Sequence, residues 1–284
     1  MKSRTSVKGF TIIELVTVIV ITGVIAGILT PFISHAMLSY TDSRTRNILL
    51  GKGRLSLERM ARDIRQAVPN SISILNGNTG IEFLRAHSGG RYVSRFDNYG
   101  SAFANNGSRL LAGNPLGQLY SVGTGITVTP GDILVIGNTS PTDLLGGASG
   151  TAATVTGSAI TNSAPAPTGD GSDQGQIIAF SAAHQFPTDS PGRHFSIADR
   201  TIEIGKSGNA LYWHSSSGLN DYDAGVDWST SDPVLIDNVS AITFTYTPGT
   251  PQATGIVRVD LQLTDASGQE TLRLYREIHI RNTP

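Results

Sequence analysis

The chain has 284 residues, a formal charge of -1, 32 glycines, 13 prolines and no cysteine. That length can bury a sizeable core, and the lack of cysteine excludes disulfide frameworks, thiolate nucleophiles and cysteine-ligated zinc. A near-neutral chain without a basic excess is not, as a whole, a nucleic-acid binder.

The near-neutral total hides three regions. Residues 1–9 carry three bases (Lys2, Arg4, Lys8) and no acid, residues 10–67 carry seven bases and four acids, and residues 68–284 carry eleven bases and eighteen acids. From Phe10 to Ile33 the chain reads FTIIELVTVIVITGVIAGILTPFI, apolar or small except for one carboxylate, Glu14. About 20 such residues span a hydrocarbon layer about 30 Å thick. The bases in front keep the short N-terminus cytoplasmic and export the rest. Ser34-His35-Ala36 has the look of a signal cleavage site, but the apolar run is longer than a secretory signal needs. A plain anchor has the right length and leaves Glu14 unexplained, since an acid at a membrane helix centre costs about 2.5–3.5 kcal/mol. Gly23, Gly27 and Pro31 interrupt the run, and Pro31 removes a backbone donor and can kink or locally melt a helix.

Residues 34–68 read as an amphipathic continuation. Leu50, Gly53, Leu57, Met60, Ala61, Ile64 and Val68 form one stripe of a 3.6-residue period. Arg44, Arg46, Lys52, Arg54, Arg59, Arg62 and Arg65 occupy the other faces, as a solvated surface or one that meets acidic surfaces elsewhere. Pro69 disfavours helix in the residue before it, so the helix is predicted to close at Val68.

Residues 69–284 read as one β-rich globular head. Strands are predicted at 71–75, 81–84, 126–128, 132–136, 176–180, 201–204 and 210–213, then at 241–246, 256–263 and 272–280. Asp265-Ala266-Ser267-Gly268 is a hairpin signal, so the end is an antiparallel meander. Residues 146–175 are poor in bulky side chains and predicted as a long flexible loop.

Catalysis finds no foothold. The six histidines never fall in HExxH spacing, and neither GxSxG nor GxxxxGK occurs. Asn220-Asp221-Tyr222-Asp223-Ala224-Gly225-Val226-Asp227 places oxygens on alternate residues around a glycine, either a polar turn before Trp228 or a calcium loop with Asp221, Asp223 and Asp227 as ligands. No other cofactor is expected.

Lys8-Gly9-Phe10-Thr11-Ile12-Ile13-Glu14-Leu15, after a basic leader and ahead of the apolar run, resembles the class III signal of type IV pilins and type II secretion pseudopilins. The resemblance implies that a prepilin peptidase removes residues 1–9 by cutting between Gly9 and Phe10, that Phe10 is N-methylated, and that residues 10–33 form the transmembrane and polymerisation helix. It implies that Glu14 sets register by pairing with the amine of a neighbouring subunit, and that Pro31 accompanies helix melting during assembly. Phe10 and Glu14 also lie four residues apart, where side chains of one helix meet, so Glu14 can instead neutralise its own chain's amine.

Residues 57–71 resemble the helix end of MshO-type minor pilins of the mannose-sensitive haemagglutinin pilus, and residues 235–284 the C-terminal sheet of J-type pseudopilins. Residues 85–230 resemble nothing in particular. The fold implied is α+β and pilin-like, a long N-terminal helix on an antiparallel sheet. The role implied is a non-enzymatic minor subunit that initiates or caps a filament, anchored in a bacterial inner membrane with a periplasmic head and found at the pilus or pseudopilus tip after assembly. Its implied partners are other pilins or pseudopilins, the prepilin peptidase, an inner-membrane platform protein with its cytoplasmic ATPase, and membrane lipid, with no nucleic acid. The alternatives are a J-type pseudopilin, or a tip adhesin or DNA-uptake subunit using the 146–175 loop.

Overall fold

The computed structural model describes residues 9–92, 116–122, 125–161, 175–188, 190, 192–249 and 254–280. The chain is α+β: one long apolar N-terminal helix, α1 (Ile12–Arg65), then twelve strands in two antiparallel sheets. It divides into two compact units, Met1–Leu50 and Gly51–Pro284. In the first, α1 runs unbroken through Pro31, and Phe10, Ile19 and Phe32 stand exposed.

The second unit contains the last turns of α1 as well as all strands. Gly53, Leu57, Met60, Ala61 and Ile64 of the predicted stripe are buried. A Cβ on Gly53 would stand 2.3 Å from Leu274 Cδ1, so glycine lets the helix backbone approach the sheet closely. The helix ends at Arg65, three residues before the predicted stop. The Gln66 and Ala67 amides fold back onto the Asp63 and Ile64 carbonyls, then Val68 N–H donates to the Leu84 carbonyl at 2.8 Å. Strand pairing thus takes over the backbone before Pro69 is reached.

The larger sheet contains β1 (Ser73–Leu75), β2 (Gly80–Tyr92), β3 (Leu116–Val122), β4 (Ile133–Val135), β5 (Ala152–Thr161), β6 (Gly175–His184), β7 (His194–Ser207), β8 (Ala210–Ser217) and β9 (Val234–Ile236). Its order is β1-β2-β3-β6-β5-β4-β7-β8-β9, and β2 also pairs with β7. That extra pairing closes β2-β3-β6-β5-β4-β7 into a six-stranded ring. Alternate residues of all six strands fill it: Tyr92, Leu119, Leu134, Val155, Ile178 and Phe195 are among one buried cluster. The opposite alternation of β4 and β7, Ile133, Val135 and Ala198, packs outward with Val68, Leu84 and Tyr222. Strands β2 and β7 serve two layers because register shifts at Arg85, Ala86 and Ser88 bend the pair. Their 86–92 and 194–198 ends belong to the ring, while their 80–85 and 200–205 ends join β1, β8 and β9.

Three expectations change. Residues 152–161, predicted within a flexible loop over 146–175, form β5, and residues 147–149 form a 3-10 turn. Despite their small side chains, their backbone pairs with β4 and β6, with one register shift between Val155 and Gly157; residues 162–174 of the predicted loop lie outside the described residues. Residues 126–128 are not a strand. Ile126 bonds through its N–H and carbonyl to the Gln176 side chain at 3.1 and 2.8 Å, so an amide side chain does the work of a neighbouring strand. Strands β3 and β9 were not predicted.

The smaller sheet, β10 (Val239–Thr247), β11 (Gly255–Thr264) and β12 (Thr271–Ile280), is the predicted meander. Val257, Val259, Leu261 and Leu263 form its buried face. The Glu58 carboxylate on α1 accepts from Arg276 Nη1 at 2.7 Å.

One close contact ties the strands to the loop after β8. Gly80 and Gly205 oppose each other across β2–β7, and a Cβ on them would stand 2.3 and 2.0 Å from the Trp228 ring. The glycine pair is therefore a slot for that indole. Gly205→Ala should lower stability by about 1–3 kcal/mol through overpacking, seen as a reduced urea midpoint by tryptophan fluorescence. Gly117→Ala, where nothing lies within 4 Å, should leave the midpoint unchanged. Equal midpoints in both variants would mean that the indole is not seated on the pair.

Candidate functional site

The sequence points to two places, the start of α1 and the acidic loop after β8. At the first, Gly9 and Phe10 precede the helix and are exposed; residues 1–8 of the leader lie outside the described residues. Thr11 N–H and Thr11 Oγ1 each donate to Glu14 Oε2 at 3.0 Å, and Glu14 N–H donates to Thr11 Oγ1 at 3.3 Å. This is a reciprocal capping box. The first four N–H groups of a helix have no partner within it, and a carboxylate there also suits the helix dipole. Glu14 therefore has an intrachain partner that the family resemblance did not supply, although Thr11-x-x-Glu14 is itself a legible signal. At Pro31 the Gly27 carbonyl has no amide to receive, while Thr30 and Ser34 hydroxyls bond back to Ala26 and Thr30 at 2.7 and 3.0 Å.

The described residues contain one helix long and apolar enough to cross a membrane, α1, and none of its most apolar window is buried. That makes a single-pass anchor compatible with the chain.

The second place is different from the predicted calcium loop. Among the described residues no group of three or more histidine or acidic side chains is placed to hold a metal ion. Asp221 Oδ2 faces His214 Nε2 at 3.2 Å, and Asp223 Oδ1 accepts from the Gly225 amide at 2.6 Å. Asp227 lies beside Glu203. The three carboxylates thus serve three separate partners and do not converge on one point.

What the loop does instead is cover a row of ionisable side chains. Glu82 of β2, Glu203 of β7 and His214 of β8 are direct cross-strand neighbours, and both glutamates are 0% exposed. The Asp223 and Ala224 amides donate to Glu82 Oε1 and Oε2 at 3.2 and 3.3 Å, and the Asp227 amide donates to Glu203 Oε2 at 3.0 Å. Glu203 Oε1 is buried without a partner. Burial pushes the Glu82 carboxyl up to about 7 against the pull of its two amide donors, with the nearby Asp223 and Asp227 acids adding to the rise. Glu203 moves the same way, through burial first and then the Asp227 and Glu82 carboxylates. Burial pulls His214 down, but hydrogen bonds from Asp232 and Asp221 more than reverse it, so its pKa is raised. Sequence reasoning missed the two glutamates because each sits in an ordinary-looking strand, and their pairing depends on register 121 residues apart in the chain.

Buried Tyr222 and Trp228 flank the covered row, and Tyr222 OH donates to the Ser71 carbonyl at 2.5 Å. Beside it, Asp199 is pushed up by burial but held low overall by hydrogen bonds from Arg85 and Arg200.

Compared with protein-family models, curated proteins and solved structures, the chain matches none of them.

The capping box carries its own test. Thr11→Ala removes the side-chain half of the exchange and should cost the helix start about 1 kcal/mol. Amide exchange of residues 12–16 in detergent micelles should speed up about fivefold relative to the unaltered chain, and an unchanged rate would mean that the cap does not hold the first turn.

Proposed function

We propose that the chain is a minor subunit of a type IV pilus-like filament, of the MshO type, anchored by α1 in a bacterial inner membrane with its β-rich part in the periplasm. The observation that carries this reading is the sequence Lys8-Gly9-Phe10-Thr11-Ile12-Ile13-Glu14, of which Gly9 to Thr11 lead into the first turn of an apolar helix. Proteolysis there needs an accessible backbone, and Gly9 and Phe10 are exposed outside the helix. A helix with apolar side chains exposed on every face seeks either lipid or other apolar helices, so the same surface serves the anchored and the assembled states.

On this reading cleavage between Gly9 and Phe10 creates a cationic amine four residues before the helix's third position, Glu14. Before assembly Glu14 caps its own first turn through Thr11. In a filament it contacts the methylated Phe10 amine of a neighbouring subunit, and two intramembrane charges are satisfied together only in one axial register. Pro31, which already deprives Gly27 of a hydrogen bond, is where the helix melts as subunits pack. The role is structural rather than catalytic, with the prepilin peptidase, an inner-membrane platform protein and fellow pilins as partners.

A J-type pseudopilin of type II secretion is the second reading, favoured by the three-stranded C-terminal meander. The tip-adhesin reading has less to rest on, because ten residues of the 146–175 segment it used as a variable loop are built into the ring as β5.

Intact mass and N-terminal sequencing of the protein from host membranes test the proposal. A chain beginning at methylated Phe10, and only when the prepilin peptidase is present, is the expected result. A chain that retains Met1, or one that starts at Met37, would sink it.

A further inference from the structure

We propose that the segment from Leu219 to Asp232 is a proton-operated latch, closed on the β2–β7–β8 face by a proton held between Glu82 and Glu203 and by the imidazolium of His214, and released as the pH rises.

The geometry counts the protons. Glu82 and Glu203 present four buried carboxylate oxygens, and the latch supplies three amide donors, from Asp223, Ala224 and Asp227. The fourth oxygen, Glu203 Oε1, has none. Two ionised carboxylates opposite each other repel, and a proton on the pair removes one charge and makes one of the four oxygens a donor rather than an acceptor. Among the described residues, the groups that act on the pair include no compensating lysine or arginine. From the latch come Asp223 and Asp227 and the Tyr222 phenol, whose proton Glu82 helps to retain. From β1 comes Ser73, register partner of Glu82, and from β8 comes His214. Arg85 and Arg200, on the same two strands, are both engaged by Asp199.

His214 counts a second proton. Its Nδ1 lies 3.0 Å from Asp232 Oδ1 and its Nε2 lies 3.2 Å from Asp221 Oδ2. A neutral imidazole has one N–H and one lone pair, so it would turn a lone pair toward one of these carboxylates. Only the imidazolium donates to both, and in doing so it pins the two ends of the latch to β8.

Both protons act with the same sign. A carboxyl whose pKa is raised on closing binds a proton that the open form lacks, so closing is favoured below the ordinary carboxylate range. That advantage is lost as the pH climbs through about 7, the value to which Glu82 is pushed. A histidine raised above its ordinary 6.5 stabilises the closed form below that value and ceases to as the pH passes the raised one. Asp232, held low by His214 despite its burial, opposes this only in acid well below the ordinary aspartate range. The latch is therefore tightest at the low end of the carboxylate range, above the acid in which Asp232 protonates, and loosened by pH 8.5. Release uncovers Glu82 and Glu203, which the closed form buries, beside Asp223 and Asp227, which already face solvent. Nothing in this inference depends on the filament reading.

Hydrogen exchange on the full chain in detergent, from pH 5.5 to 8.5 and corrected for the intrinsic rate, tests it. Protection of 219–232 should fall at least tenfold across that range while the β11 amides keep theirs. Glu203→Gln replaces the unpartnered oxygen by a permanent N–H donor and should cut the loss at pH 8.5 to less than threefold. His214→Gln, which lacks the second proton, should open the latch at every pH tested. Constant protection of 219–232 in the unaltered chain, or loss shared equally by β11, overturns the proposal whether or not the variants fold. So does a Glu203→Gln profile that follows the unaltered one.

Discussion

The pairing of β2 with β7 is the constraint on which the second unit rests. Eleven residue pairs join the two strands, and no other contact lets the chain build both a helix-packed sheet and a closed ring from the same segments. The bulges around Arg85 and Ala86 turn the pair between those layers, since an extra residue on one strand bends and twists it locally. On the side toward Gly80 and Gly205 the same pair makes the slot for Trp228, and two residues along each strand it sets Glu82 opposite Glu203. Period-two alternation makes the glycine slot and the acid pair share a face, so the residue that anchors the covering segment and the residues it covers are set by one register.

The two kinds of burial on that pair have opposite energetic characters. The ring interior, with Tyr92, Phe195 and Ile178, is apolar, and apolar burial gains about 25 cal/mol per Å² whatever the pH. The Glu82–Glu203 row is a burial that costs unless protons and amide donors satisfy it. A chain that only maximised stability would place apolar side chains there. Keeping two acids under three loop amides makes the covering segment's stability conditional on the solution, whereas the core beneath stays indifferent to it.

The first unit is governed by what surrounds it. The apolar span of the helix, none of it buried, contributes nothing to a core of its own, and its energetics belong to whatever apolar surroundings it meets. Within it Glu14 is the one ionisable side chain that must be satisfied, and Thr11 satisfies it locally through the capping box. That local partner closes the first turn, and any group competing for the same carboxylate has to offer more than two neutral donors, as a cation does.

Local chemistry was legible in the sequence wherever it did not depend on distant partners. The length and apolarity of α1, the buried stripe through Leu57, Met60 and Ile64, and the Asp265–Gly268 hairpin follow from spacing alone, because a helix period and a short hairpin loop are properties of neighbours in the chain. The Thr11–Glu14 box was equally local and was overlooked in favour of Glu14's intermolecular role. Strand β5 could not be read from its alanines, threonines and glycine, since a ring closes through backbone bonds to β4 and β6 rather than through side-chain bulk. The calcium loop had the right oxygens in the right order, but tertiary structure sent Asp221 to His214, Asp223 to its own turn and Asp227 to Glu203. By itself the sequence determined the helix, its exposed apolar character and the strands whose alternation is visible over a few residues. Only the tertiary structure decided which strands meet and which acids are buried together, because register between β2 and β7 links residues more than a hundred positions apart, and no local spacing encodes it.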